Sequence, residues 1–310
     1  MIWSGPRSIL SWARPNVSPF EAEIKMSEEE FRLLRDLVYS HCGLWFDDQN
    51  SYLLEKRLSR RLAVHQLKTF REYYQLLRFN RKRDQELEEI MDLLTTNETY
   101  FFREEYQLKA FTDEIVPEIC AARGIKEFNR HIRVWSAGCS TGEEPYTIAM
   151  LLLEMDCLRG WSIEIVGTDI SQRVLQHARR GVYGPSAFRS TDDYYKNKYF
   201  TLQDEGGYRI KDEVRKLVTI SHLNLLDSTR MKMLGSFDLI FCRNVIIYFD
   251  QPAKKKVVES FYQVLRDSGY LLLGHSESLM NITTLFNLRH FKNDMVYQRP
   301  ATSSTTGGLL

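Results

Sequence analysis

Ile132-Arg133-Val134-Trp135-Ser136-Ala137-Gly138-Cys139-Ser140-Thr141-Gly142-Glu143-Glu144-Pro145 is the stretch on which the fold turns. An apolar run of strand character, Ile132–Ala137, ends in small residues that let the backbone pass close to a ligand. The next helix is predicted over Glu144–Leu153, entered near Gly142 with acids in its first turn. A strand, a glycine turn and a helix open many α/β proteins, so this turn alone does not say what is bound.

Toward the C-terminus the same alternation repeats. Candidate strands are Ile163–Thr168, Leu217–Ser221, Phe237–Cys242 and Tyr270–Leu273, with a late pair around Phe286–Phe291 and Met295–Gln298. Helical patterns over Ser171–Arg180 and Pro252–Leu265 lie between them. Such βαβ units imply a parallel sheet covered by helices. The last two strands are separated only by Lys292-Asn293-Asp294, which predicts an antiparallel hairpin. A mostly parallel sheet closed by an antiparallel hairpin is the outline of the S-adenosylmethionine-dependent methyltransferase fold. Residues 181–216 break the alternation with many aromatics and Asp204-Glu205-Gly206-Gly207, and read as a small β insertion at the sheet edge.

Toward the N-terminus the signals are helical. Ser27-Glu28-Glu29-Glu30 has the capping-box pattern, followed by Phe31, Leu33, Leu34, Leu37 and Val38 at helical spacing. A second helix presents Leu53, Leu54, Leu58, Leu62 and Val64, with Lys56, Arg57, Arg60 and Arg61 among its other positions. Two more carry Phe70 to Leu77 and Leu87 to Leu94. The expected division is a weakly ordered leader over 1–25, a small all-α domain over 26–94 and a connector over 95–110. A methyltransferase domain over 111–300 and a flexible tail over 301–310 complete it.

The 310 residues are 43% hydrophobic and 27% charged, which suits an ordinary globular protein. A formal net charge of +1 argues against a global electrostatic footprint for nucleic acid. No apolar run of membrane-spanning length and no signal peptide is evident, so a cytoplasmic protein is expected. Cys42, Cys120, Cys139, Cys157 and Cys242 never fall at Cys-x-x-Cys spacing. They predict neither a disulfide framework nor a metal site, but reduced side chains packed as small hydrophobes.

Ligands of open α/β sheets lie beyond the carboxyl ends of the strands. There the second strand delivers Asp169, at the place where an acid receives ribose hydroxyls. Together with the glycine turn it points to a nucleoside-bearing ligand. The turn lacks G-x-G-x-x-G, and Glu143 and Glu144 would oppose a pyrophosphate but could meet the cationic groups of S-adenosylmethionine. After the fourth strand come Arg243, Asn244 and Tyr248, polar groups at a catalytic position. The connector Thr95-Thr96-Asn97-Glu98-Thr99-Tyr100-Phe101-Phe102-Arg103-Glu104 should cross the mouth of the site.

On these residues the chain closely resembles the chemotaxis-receptor methyltransferases, the CheR family, from about Met26 to Pro300. The strings that carry the likeness are Thr95-Thr96-Asn97, Phe101-Phe102-Arg103-Glu104, Trp135-Ser136-Ala137, Ser140-Thr141-Gly142-Glu143-Glu144-Pro145-Tyr146, Asp169-Ile170, Asn224-Leu225, Phe241 through Asp250, and Gly274-His275-Ser276-Glu277. The resemblance implies methyl transfer from S-adenosylmethionine to glutamate γ-carboxylates of chemoreceptors, with S-adenosylhomocysteine as product. Asn97, Thr99, Arg103, Ala137, Gly138 and Glu144 would contact the cofactor, Asp169 its ribose, and Asn224 and Leu225 the adenine. Arg243 and Asn244 would line the methionyl side, and Arg103 and Tyr248 would stand nearest the methyl. Lys56, Arg57, Arg60 and Arg61 would dock the receptor's acidic helices. Family members that bind a pentapeptide at the receptor tail have a longer glycine-rich loop in the insertion. Asp204–Tyr208 is shorter, so a pentapeptide-independent enzyme is expected. The alternatives are a nucleic-acid N-methyltransferase, disfavoured by Val245-Ile246-Ile247 where prolines would shape a base pocket, and a non-catalytic module that senses S-adenosylmethionine.

Overall fold

The computed structural model describes residues 24–123, 130–204 and 206–301. Expectations for the leader, apart from its last two residues, and for the tail beyond Ala301 lie outside those residues. The chain begins with α1 (Glu28–Cys42), which the capping box starts as expected: Ser27 Oγ accepts from Glu30 N, and Glu30 Oε2 accepts from Ser27 N. α2 (Ser51–His65), α3 (Phe70–Phe79) and α4 (Arg83–Leu94) follow. Leu34, Val38, Leu54, Leu58, Leu62, Phe70 and Ile90 fill the space between them. Val64, expected on the apolar face of α2, is instead exposed near the helix end.

The connector is extended only to about Arg103. α5 (Glu105–Ala110) then begins, runs through a π turn at Phe111–Ile115, and continues as α6 (Val116–Arg123). α5 takes the last six residues of the expected connector over 95–110. Leu108, Phe111, Ile115, Val116 and Ile119 recur at helical spacing and are buried on one side of the helix, while Glu105, Tyr106, Lys109 and Asp113 are exposed on the other.

β1 (His131–Ala137), α7 (Glu143–Leu153), β2 (Ser162–Asp169) and α8 (Gln172–Arg180) match the predicted alternation. The insertion consists of β3 (Val182–Tyr183), α9 (Asp193–Tyr199), β4 (Phe200–Leu202), β5 (Tyr208–Ile210) and α10 (Asp212–Arg215). Its strands form a separate antiparallel sheet in the order β3-β5-β4. Phe101 of the connector packs 4.8 Å from Tyr183, 5.2 Å from Phe188 and 5.0 Å from Phe200, which fixes the connector against the insertion.

β6 (Val218–His222), α11 (Ser228–Met233), β7 (Phe237–Cys242), α12 (Gln251–Val264), β8 (Leu265–Leu273), β9 (Asn287–His290) and β10 (Met295–Gln298) complete the chain. The seven-stranded sheet has the order β6-β2-β1-β7-β8-β10-β9, with every strand parallel except β10, which runs antiparallel between β8 and β9. From β1 the chain winds outward through β2 to β6 and then returns to β7, so the switch point lies between β1 and β7. That placement opens a crevice at the carboxyl ends of these strands.

The helical domain is stitched to this crevice. Leu44, just after α1, forms an antiparallel bridge with Phe249, and Trp45 N donates to Tyr248 O at 3.0 Å. Tyr39 OH donates to the Asp250 carboxylate, and Asn224 Nδ2 donates to His41 O. Ser171 Oγ and Arg173 Nη2 donate to Asp92 of α4.

Candidate functional site

A cavity of about 220 Å³ lies at the switch point, between the sheet, the connector and the end of α1. Eleven of the residues singled out from the sequence line it: Asn97, Thr99, Arg103, Gly138, Glu144, Asp169, Asn224, Leu225, Arg243, Asn244 and Tyr248. Ala137 is not among the lining residues. Its side chain is fully buried in the core, while Gly138, Cys139 and Ser140 form the wall beyond it.

Sheet geometry explains the floor. Gly138 N and Cys139 N both donate to Thr168 O at 2.8 Å, bending β1 over the end of β2. Gly138 has φ +85°, and an added Cβ would lie 2.4 Å from a methyl of Val245, so only glycine fits. Asp169 closes the bend: Oδ2 accepts from Ser140 N at 2.9 Å and Oδ1 from Ser171 N at 3.0 Å. Burial raises its pKa above the ordinary value, opposed by those backbone donors. Each oxygen keeps a second lone pair for a ligand hydroxyl.

The two acids of the turn part company. Glu143 is buried away from the cavity, bonded by Thr141 Oγ1 at 2.6 Å, and burial raises its pKa. Glu144 faces the cavity, with Oε1 accepting from Ser136 Oγ and Oε2 from Arg243 Nε, both at 2.7 Å. Arg243 also donates to Arg103 O at 2.9 Å and stands 3.6 Å from the Glu104 carboxylate. One guanidinium thus meets two carboxylates, and the cluster keeps a surplus negative charge. Glu104 Oε2 is buried without a hydrogen-bond partner, and so is the acceptor Asn244 Oδ1 on the cavity wall. Unpaired acceptors and surplus negative charge suit a ligand that brings N–H donors and positive charge.

Asn224 was expected beside an adenine. It lines the cavity, but its amide also holds the wall together: Nδ2 reaches His41 O, and Oδ1 accepts from Leu226 N at 3.0 Å. Asn97 Nδ2 donates to Thr95 Oγ1, and Asn97 O accepts from Ser140 Oγ, which clips the connector to the glycine turn. At the mouth Arg103 donates to Glu98 O at 2.9 Å, and Tyr248 is 36% exposed, open to a second substrate.

Several contributors were not legible in the sequence. Cys42 and Leu44 of the helical domain line the cavity because the Leu44–Phe249 bridge brings them there, and no local pattern announces that contact. Glu277 lies outside the lining yet shapes it. Its carboxylate accepts from Gly274 N (2.7 Å), Asn244 N (2.8 Å), Val245 N (2.9 Å) and Ile247 N (3.2 Å). The signal was present in the quoted Gly274-His275-Ser276-Glu277 string, but three of its four partners lie 30 to 33 residues away.

Of the basic face on α2, Lys56 and Arg60 are exposed. Arg57 and Arg61 are partly buried and engaged within the helical domain. Arg57 Nη1 donates to Leu94 O, and Arg61 forks onto the buried Glu86, with Nε at 2.7 Å and Nη2 at 2.5 Å. Tyr73 OH and His65 Nε2 complete the Glu86 cluster. These two arginines are committed to packing helices together, which leaves two of the four charges for a partner.

The sheet order, the cavity at its switch point and the wall residues define an S-adenosylmethionine-dependent methyltransferase. The CheR methyltransferase SAM binding domain matches residues 97–294, and the CheR methyltransferase all-alpha domain matches residues 29–95. The chain belongs to the CheR methyltransferase family. It is similar to chemotaxis protein methyltransferase 2 of Vibrio cholerae, at 37% identity over 90% of this chain and 95% of that protein. The chemotaxis protein methyltransferase of Borreliella burgdorferi is 38% identical over 85% of this chain and 93% of that protein. That of Vibrio parahaemolyticus is 35% identical over 89% and 98%. Among the described residues no helix is long and apolar enough to cross a membrane.

Proposed function

We propose that the chain esterifies the γ-carboxylate of glutamate residues on the cytoplasmic helices of chemoreceptors, as a cytoplasmic enzyme of sensory adaptation. The observation that carries this reading is that Arg103 and Tyr248 line the same cavity as the acids Glu144 and Asp169. The first two are hydrogen-bond donors, matched to a carboxylate acceptor.

S-adenosylmethionine supplies a methyl group made electrophilic by its sulfonium. In this reading Asp169 receives the ribose hydroxyls, Leu225 packs on the adenine, and Asn244 Oδ1 accepts from the ammonium group. The Glu104–Arg243–Glu144 cluster balances the positive charge. A glutamate side chain, with an ordinary pKa of about 4.3, is already ionised at neutral pH and needs no general base. Its oxygen forms a bond to the methyl carbon as the carbon–sulfur bond breaks, leaving a methyl ester and a neutral thioether, with no proton transferred. The work left to the protein is orientation and exclusion of water. Tyr248 orients the acceptor through its hydroxyl, and Arg103 holds a carboxylate at the mouth.

Lys56 and Arg60 offer a basic surface to acidic receptor helices, and the short β4–β5 connection supports docking without a tail pentapeptide. The deciding experiment is transfer of labelled methyl groups to receptor-bearing membranes, followed by mild alkali. Label released as volatile methanol is expected from a carboxyl ester. Alkali-stable label would mean nitrogen methylation and overturn the reading.

A further inference from the structure

Five cysteines spread over the sequence gave no reason to pair any two, yet the fold brings two of them into contact. Cys120 Sγ on α6 lies 3.3 Å from Cys157 Sγ, on the 3₁₀ turn Asp156–Leu158 between α7 and β2. A disulfide needs about 2.05 Å, so the sulfurs have only about 1.2 Å to close. The two thiols also differ in access. Cys157 is exposed, whereas Cys120 is buried beside Ile119 and Arg123 at the end of the helix. Both lie near the amino ends of β1 and β2, the pole of the sheet opposite the cavity, so methyl transfer makes no use of them.

We propose that Cys120 and Cys157 form a peroxide-oxidised thiol pair, with Cys157 the sulfur attacked and Cys120 the one that resolves it into an intramolecular disulfide. In the first step Cys157 sulfur attacks a peroxide oxygen. The oxygen–oxygen bond breaks, a sulfenic acid forms, and the second oxygen leaves as water. In the second step Cys120 sulfur attacks the sulfenic sulfur. The sulfur–oxygen bond breaks, and hydroxide departs with the Cys120 proton as water. The pair loses two electrons and the peroxide gains them. Burial pushes Cys120 up to about 12, which keeps it a thiol at neutral pH and leaves first attack to its exposed neighbour. The bridge would close a covalent ring around β1, the glycine turn and α7. It would fasten α6 to the turn that leads into β2, constraining the half of the sheet that holds the cofactor.

The test treats the full chain, reduced and then freed of thiol, with hydrogen peroxide and digests it without reductant. The expected product is monomeric, lighter by about 2 Da, and contains the Cys120 and Cys157 peptides joined to each other. A dithiol should reverse it. In Cys120→Ser the Cys157 sulfenic acid, deprived of its partner, should be captured by dimedone at least several-fold more than in the wild type. The oxidised wild type should unfold about 3 °C or more above the reduced form. An unchanged monomer mass, a bridge through another cysteine, or Cys157 driven to sulfinic acid beside a free Cys120 would overturn the pairing. An unchanged midpoint in the bridged protein would overturn the clasp.

Discussion

Glu277 accepts four backbone N–H groups, two through each oxygen, and three come from the turn that presents Asn244 and Tyr248 to the cavity. A carboxylate is all acceptor, whereas a glutamine would turn an N–H toward N–H groups already in place. Glu277→Gln should therefore displace the turn. Turnover should fall about tenfold or more, with a smaller change in cofactor affinity, because Asp169 and the glycine turn stay intact. Calorimetric cofactor binding set beside kcat would show this, and turnover within about twofold of the wild type would refute it. In the proposed mechanism Tyr248 acts on the acceptor side. In Tyr248→Phe the ring is preserved and only the hydroxyl is lost, so kcat should fall about tenfold while cofactor affinity holds. An equal loss in both would remove Tyr248 from the acceptor's contacts.

Among the elements, α2 divides its basic residues between the interior, Arg57 and Arg61, and the surface, Lys56 and Arg60. Charge reversal at Lys56 and Arg60, both exposed, should weaken receptor methylation and leave cofactor binding unchanged. Equal methylation by the double variant would show that the receptor docks elsewhere. Arg61 belongs to the interior, its side chain 15% exposed against a Glu86 that is 6% exposed. Removing it in Arg61→Ala strands a buried carboxylate and should cost about 2–4 kcal/mol of stability. Urea unfolding reads that loss, and a change below about 0.5 kcal/mol would mean that the fork contributes little. The α5–α6 helix teaches a related lesson. Its buried Leu108, Phe111, Ile115 and Ile119 keep helical spacing across the π turn, so its start was legible in the apolar pattern inside the expected connector.

Across the whole molecule, buried acids give stability a definite pH dependence. Burial alone would raise the Glu86 carboxyl, but Arg61, Tyr73 and His65 outweigh it and hold it below its ordinary 4.5. A group lowered on folding stabilises above its unfolded pKa, and that contribution is lost as pH falls through the lower folded value. Glu143, Asp169 and Glu277 run the other way: burial raises them, so their contribution is lost as pH rises through their raised folded values. The stability gap between wild type and Glu86→Gln should accordingly narrow as pH falls below 4.5. Denaturant unfolding across that range checks it, and a gap independent of pH would mean that Glu86 is not ionised in the fold. The sequence by itself determined the strand and helix order, the hairpin at the sheet's end, the insertion and the cavity's principal side chains. Those features rest on periodicity, turn chemistry and motifs carried by neighbouring residues. Tertiary structure alone decided that Arg57 and Arg61 face inward, that Leu44 bridges to Phe249 beside the cavity, and that Glu277 gathers the Asn244 turn. It also decided that Cys120 meets Cys157. Each of these joins residues dozens or more positions apart, and a contact of that range is set by how elements pack, which no local pattern encodes.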